Sequence, residues 1–289
     1  RVLLAVLHTV FSRFDADGNV YEYLAVDERF KQIEPVEESN IADYQDDLYD
    51  TWIALWESGK FPDIVNHYLE KWRDRFYLFD EEYPFFQVRK EDIAADRISK
   101  AKASSISGKN INRTISESGN KLALFSPKNI KNKEQLTPSE LTRWLLTFQG
   151  YSGLSDKVIF GKEKYKVSKG WLFDIGAVFI QGTSLFETLL LNCILPFYDY
   201  GNLESIQCPC WEFASSDNIN RYLFGSECTN LANLYTIWSR GVYIDPEYDL
   251  NKPFSFEIVK LPDINHQDNF LEPMTTWKYN TTGENKDSY

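Results

Sequence analysis

The stretch DYQDDLYDTWIALWESGKFP, residues 43–62, decides how the chain is read. Tyr44, Leu48, Trp52 and Leu55 recur at i, i+4, i+8 and i+11, the spacing that lines one face of an α-helix with apolar side chains. Gly59 stands where a left-handed residue would close that helix. Pro62 suits the first turn of a second helix carrying Ile64, Val65, Tyr68, Leu69 and Trp72. Outward from this pair, residues 2–11 form a third apolar helix, and Asp17-Gly18-Asn19 is a turn. LFDEEYPFF, residues 78–86, is too aromatic and too broken by proline for a regular element and anchors a connection in the core. Two capping boxes, Thr137-Pro-Ser-Glu140 and Ser184-Leu-Phe-Glu187, open helices over Leu141–Phe148 and Thr188–Leu195. Asn230–Ser239 reads as a further helix through Leu231, Leu234, Tyr235 and Trp238. Trp171–Ile180 and the alternation Phe254, Phe256, Ile258 read as strands. With no internal repeat and no clear linker, the expectation is an α+β fold: one large mixed domain, more helix than strand, with long loops.

Composition narrows the function classes. At 43% hydrophobic residues, with 8 Trp, 17 Tyr and 20 Phe, the chain can bury a proper core and is not a disordered protein. No apolar run approaches the roughly 20 residues that span a bilayer. Leu185–Leu195 is interrupted by Glu187 and Asn192, so no membrane partner is expected. RVLLAVLHTVF at the start has no polar lead-in and no small-residue cleavage site, and reads as a helix cut near its beginning rather than a signal peptide. Cys193, Cys208, Cys210 and Cys228 are too few for a disulfide framework. Cys208-Pro-Cys210 lacks the spacing and second ligand pair of a metal knuckle. Reduced thiols in a cytoplasmic protein are expected, with no metal and no cofactor. Asn112-Arg-Thr114 and Asn280-Thr-Thr282 match the glycosylation sequon, a weak signal outside a secretory context.

Charge is distributed unevenly. The net charge is −12, yet residues 97–170 carry 15 Lys and Arg against 5 Asp and Glu. Within Arg97–Lys133, nine basic residues face one acid, Glu117, in a run of Ser, Gly, Asn and Ile without sustained period. That composition reads as a long loop, and Ser99–Lys133 is expected to be mobile in part without partners. A second cluster, Lys157, Lys162, Lys164, Lys166 and Lys169, follows Gly150 and Gly153. Such a tract suits a polyanion, because neutralised phosphates release counterions. The acidic remainder would confine docking to that surface.

No catalytic template fits. The sequence has no Walker loop, no nucleotide-type Gly-x-Gly-x-x-Gly and no Gly-x-Ser-x-Gly elbow. His8 lies in an apolar run and reads as a packed core histidine. The acidic pairs Glu37-Glu38, Asp46-Asp47 and Glu81-Glu82, with the many aromatics, leave a carbohydrate-active hydrolase as an alternative. A structural adaptor whose lysines meet an acidic protein is another. Trp52, Trp56 and Trp72 sit at core spacing and read as packing rather than as a sugar platform.

Several blocks, in order, resemble one family. LLAVLHTVF (3–11), the Trp52-Ile-Ala-Leu-Trp56 helix with ESGKFP, YLEKWRDRFYLFDEEYPFFQ (68–87), TSLFETLLLNCILP (183–196) and LANLYTIWSRGVYID (231–245) are similar to the CasA large subunit of the type I-E CRISPR surveillance complex, Cascade. The resemblance runs over essentially the whole chain. It implies a non-catalytic subunit of an RNA-guided antiviral complex, partnered by other Cascade subunits with guide RNA, by double-stranded target DNA and by a recruited helicase-nuclease. Such a subunit reads the protospacer-adjacent motif while base pairing reads the target. It also implies that residues 1–289 are the family's large N-terminal domain, truncated at both ends and without its C-terminal helical bundle. Residues 97–170 would then be a basic segment with DNA-facing loops inside it.

Residue by residue, the family's motif-reading loop corresponds to Asn120-Lys-Leu-Ala-Leu-Phe125-Ser126-Pro127. Many relatives carry Asp-His where this chain has Ser126-Pro127, so the identity of the motif does not transfer. The family's glycine loop aligns with Gly150-Tyr-Ser-Gly153 through Lys157. The DNA-binding candidates are therefore Asn120, Phe125, Ser126, Pro127, Lys128, Lys131, Lys133, Gly150, Gly153 and Lys157. In these roles Phe125 would wedge against a base step or fill a subunit pocket, Lys128, Lys131 and Lys133 would hold phosphates, and Gly153 would let backbone approach DNA closely.

Overall fold

A computed structural model describes residues 1–111, 135–151, 156–176, 178–195, 206–225, 228–264, 272–275, 277–279, 281–282 and 285–288. Among them the helices are α1 (Val2–Phe11), α2 (Ile41–Ser58), α3 (Ile64–Lys71), α4 (Pro138–Gly150), α5 (Trp171–Ile175), α6 (Leu185–Leu191), α7 (Ser215–Phe224) and α8 (Leu231–Thr236). The strands are β1 (Ser104–Ser107), β2 (Arg240–Tyr243), β3 (Ser255–Lys260), β4 (Trp277–Tyr279) and β5 (Asn285–Ser288). An antiparallel sheet runs in the order β1-β3-β2, and β4 pairs with β5. Helix outweighs strand, the expected α+β class.

α1 is apolar all round, as befits a central helix. Leu4 to Phe11 are all buried, and the helix packs on α8 and α3. α2 buries Tyr44, Leu48, Thr51 and Leu55, and Gly59 closes it at φ +67°, its N–H donating to the Leu55 carbonyl at 3.2 Å. Trp52 is half-buried and donates Nε1–H to the Leu190 carbonyl at 3.1 Å. Trp56 departs from the core expectation: it is 42% exposed and stacks on Trp52 with ring centroids 5.6 Å apart. Four residues on from Trp52 it lies over the same helix face, but towards the solvent-facing last turn.

Buried charge ties distant segments together. Just beyond α1, the fully buried Arg13 guanidinium makes a two-pronged pair with Glu212, at 2.8 and 3.0 Å, and donates to the carbonyls of Phe30 and Gln207. Tyr68 donates to the same carboxylate at 2.7 Å and accepts from Trp211 Nε1–H at 2.8 Å. A buried pair survives only when its remaining donors and acceptors are met, and here most of them are. On α4, the buried Gln149 amide acts as an extra peptide unit. It donates to the carbonyls of Phe86 and Arg240 and accepts from the N–H groups of Ser239 and Arg240.

Four segments differ from the sequence expectation, each for a local reason. Trp171–Ile180 is not a strand. Its first five residues form α5, which buries Trp171 and Ile175 at i, i+4, and glycines with positive φ, Gly170 and Gly176, bracket it. The second capping box is half formed: Ser184 Oγ accepts from Glu187 N–H at 3.1 Å, but the Glu187 carboxylate turns to Thr183 instead. α6 then stops at Leu191, because Asn192 spends its amide on the carbonyls of Thr188 and Ile180. α8 stops at Thr236, and Ile237 and Trp238 continue extended and buried. The basic run from Arg97 is not one loop, since it contains β1, paired with β3 from Ser104↔Ile258 to Ser107↔Ser255. The first capping box is complete, with Thr137 and Glu140 each accepting from the other's backbone N–H. Phe85 and Phe86 are buried in an irregular connection, as expected.

Candidate nucleic-acid interface

The two basic clusters, about sixty positions apart in sequence, meet in space. Ile98 pairs antiparallel with Phe160. Ser99 N–H donates to the Ile159 carbonyl at 2.9 Å, Gly161 N–H donates to the Arg97 carbonyl at 2.8 Å, and Ile159 N–H donates to Ser99 Oγ at 3.1 Å. Ile159 in turn bridges to Lys260 at the end of β3, and Val167 to Pro262. The segment after residue 156 is thus laced to the sheet on one side and to residues 97–99 on the other. Its apolar members Val158 and Phe160 are buried, while Lys157 before them and Lys162 after them are exposed.

The lysines of this ladder divide into two groups. Lys100, Lys102, Lys157 and Lys164 are exposed and have no ion-pair partner among the described residues. The others are engaged. Arg97 pairs with the buried Asp92 carboxylate at 3.3 Å, Lys166 with Asp263 at 2.6 Å, and Lys169 lies 5.4 Å from the Phe173 ring. Lys162 donates to the carbonyls of Ala95 and Ile98. The Asp263 hydrogen bond and charge raise the Lys166 pKa, so it stays a cation. Asp174, on α5 nearby, is pushed up to about 6 by burial and then by Asp263.

Beneath the ladder, Asp156 anchors the second cluster. Its buried carboxylate pairs at 3.4 Å with Arg240, which also donates to the carbonyls of Ser168 and Ser239. Burial raises the Asp156 pKa even opposite that guanidinium. Neither Asp156 nor Arg240 stood out in the sequence. The lone acid beside Lys157 was the available signal, because an acid within a lysine run either solvates or anchors.

Of the DNA-binding candidates, Lys157 lies exposed on the ladder. Gly150 is buried as the last residue of α4 and packs inward: a Cβ there would meet Leu172 Cδ1 at 2.8 Å, and its carbonyl sits against Gly170. It packs against α5 and the glycine before it and does not reach the surface. Asn120, Phe125, Ser126, Pro127, Lys128, Lys131, Lys133 and Gly153 lie outside the described residues.

The acidic alternative also has a location. A groove of about 310 Å³ is lined by Asp15, Asp17, Glu22, Asp47 and Asp50 with Tyr21 and Thr51, and no tryptophan lines it. Burial, and then Glu22 and the neighbouring aspartates of α2, raise the Asp47 pKa. Glu37, Glu38, Glu81 and Glu82 are exposed. The four cysteines form no disulfide with one another and all but Cys208 are buried, with burial pushing Cys210 and Cys228 up to about 12. Among the described residues no group of three or more His, Cys, Asp or Glu could hold a metal ion, and no helix is long and apolar enough to cross a membrane.

Comparison with known proteins gives a consistent picture. The family model described as CRISPR-associated protein Cse1 matches residues 1–288. The CRISPR-associated protein CasA/Cse1 of Thermus thermophilus is 32% identical over 147 residues, covering 48% of this chain and 26% of that relative. The crystal structure of Cse1 from Acidimicrobium ferrooxidans aligns with TM-score 0.62 at 21% identity, over 99% of this chain and 48% of that one. The crystal structure of Thermus thermophilus CasA aligns with TM-score 0.55 at 22% identity, over 99% of this chain and 47% of that one. At those identities the two structures speak to the fold. The chain spans about half the length of these solved relatives.

Proposed function

This chain belongs to the CRISPR-associated protein Cse1 family, and from that premise we propose that it is a non-catalytic part of the large subunit of an RNA-guided surveillance complex. In that role it works in the cytoplasm with the other Cascade subunits and guide RNA, docks on double-stranded DNA beside the target, reads the protospacer-adjacent motif and offers a surface to the recruited helicase-nuclease. The observation that carries the reading is the union of the two basic clusters on one ladder, with Lys100, Lys102, Lys157 and Lys164 facing solvent. Phosphate contacts of this kind position a protein on DNA without specifying sequence. Specification falls to the segment around Asn120–Lys133, where an apolar wedge such as Phe125 can unstack a base step.

The test is electrophoretic binding of target duplex by the complex reconstituted with full-length protein. Substituting Phe125→Ala together with Lys128→Ala is expected to lower affinity for duplex carrying the motif by at least tenfold, since one stacked or wedged aromatic alone is worth about 1–3 kcal/mol. Unchanged affinity would show that this loop does not read DNA.

A further inference from the structure

We infer that Lys162 is a positioning residue of the DNA-facing surface: its ammonium holds the two basic clusters together and leaves phosphate contact to its neighbours. This rests on the nucleic-acid reading above and divides labour within it.

Lys162 follows Gly161, which has φ +70° and donates its N–H to the Arg97 carbonyl at 2.8 Å. That turn carries the Lys162 side chain over residues 95–98. There Nζ donates to the Ala95 carbonyl at 3.4 Å and to the Ile98 carbonyl. Both carbonyls lie around the tight turn in which Arg97 N–H donates to the Ala94 carbonyl at 2.9 Å. An ammonium has three protons, and two of these are directed at backbone oxygens. Drawing it towards a phosphate would strip both carbonyls of a charge-assisted donor.

Both clusters are also tied to β3, through β1 on one side and through Val158–Phe160 at Lys260 on the other. Among the described residues, the other direct links between the two clusters are the Ile98–Phe160 bridge, the Ser99–Ile159 and Gly161–Arg97 backbone bonds, and the Ser99 hydroxyl. Lys100 and Lys102 leave on one side of this joint, and Lys157 and Lys164 flank it on the other. Their spacing against a phosphate backbone is therefore set by the joint that Lys162 closes. Lys164, two residues away, is exposed and has no ion-pair partner among the described residues, so it serves as the contact for comparison.

Two readouts on full-length protein in its assembled complex separate the roles. One is the slope of log affinity for duplex DNA against log salt. The other is backbone amide exchange at Ser99 and Gly161. Lys164→Gln is expected to lower the slope by about 0.9, one phosphate's worth, and to leave exchange unchanged. Lys162→Gln is expected to speed exchange by at least about two- to tenfold, the effect of losing even one of its two hydrogen bonds. It should also lower the slope by more than Lys164→Gln does, because several lysines lose their spacing together. Lys162→Arg, which keeps the donors, should restore both. If Lys162→Gln matches Lys164→Gln in slope with exchange unchanged, Lys162 is a phosphate contact and the inference fails. Faster exchange with a wild-type slope makes it structural only, and also overturns the inference. Wild-type protein that binds no duplex at any salt overturns the nucleic-acid reading instead. The joint is then decided by exchange alone, and unchanged exchange in Lys162→Gln removes it.

Discussion

His8 shows how a single side chain was legible from its neighbours. Set in an apolar run, it reads as core, and in the structure it is 3% exposed beside Tyr235, with ring centroids 6.0 Å apart. Burial, and then the Arg1 charge, lower its pKa from 6.5 to about 3. The unfolded chain takes up this proton as pH falls below about 6.5, whereas the folded chain refuses it until about 3. Stability is therefore lost as pH drops from 6.5, by up to about 1.4 kcal/mol per pH unit once the unfolded histidine is fully charged. His8→Leu should flatten this dependence in urea unfolding between pH 7 and pH 5. Parallel profiles for the two proteins would mean that His8 accepts a proton in the fold. Arg13 was not legible in the same way. Its partner Glu212 lies 199 positions away, and nothing in the local sequence distinguishes a buried arginine from a solvated one.

Elements were legible where their signals are local. The α2 stripe with Gly59, and the Thr137–Glu140 box, predicted helices because apolar period and caps act within a few residues. α5 was misread because its five residues are too few for a period, and tertiary packing against Gly150 decides their conformation. Gly170 holds φ +95°, and a Cβ there would lie 2.1 Å from the Gly150 carbonyl oxygen. Gly59 holds φ +67° with nothing within 4 Å of an added Cβ. The two glycines thus separate conformational cost from steric cost. Gly59→Ala should cost about 1–2 kcal/mol, the left-handed penalty alone. Gly170→Ala should cost more than about 3 kcal/mol, because backbone must also move. Denaturant midpoints of the two variants check this, and equal losses would show that the α4–α5 contact yields freely. The basic clusters mark the limit of local reading. Their charge was plain in sequence, but their meeting depends on the long-range Ile98–Phe160 pairing, and β1 within the first cluster has no alternation strong enough to announce itself.

At the scale of the whole molecule, charge is segregated rather than merely unbalanced. The protein is acidic, with a sequence pI near 4.8, yet 15 of its 31 basic residues fall in residues 97–170. On the nucleic-acid reading proposed above, a polyanion would be repelled by the acidic remainder and attracted by the basic tract, so the field would orient docking before any contact forms. At physiological salt the Debye length is about 8 Å, which leaves the approach steered only near the ladder itself. Affinity should then be carried by a few phosphate contacts and specificity by the segment that reads bases. Lys157 tests that division, since it is exposed on the ladder and flanked by Asp156, which is committed to Arg240. Lys157→Gln is expected to reduce the salt slope of duplex binding by about 0.9. The affinity ratio between duplexes with intact and scrambled adjacent motifs should stay unchanged, because a phosphate contact is common to both. Titrations of both duplexes across a salt series measure the two quantities together. A changed ratio with an unchanged slope would place Lys157 on a base edge and move part of the reading function proposed for the Phe125 segment onto the ladder.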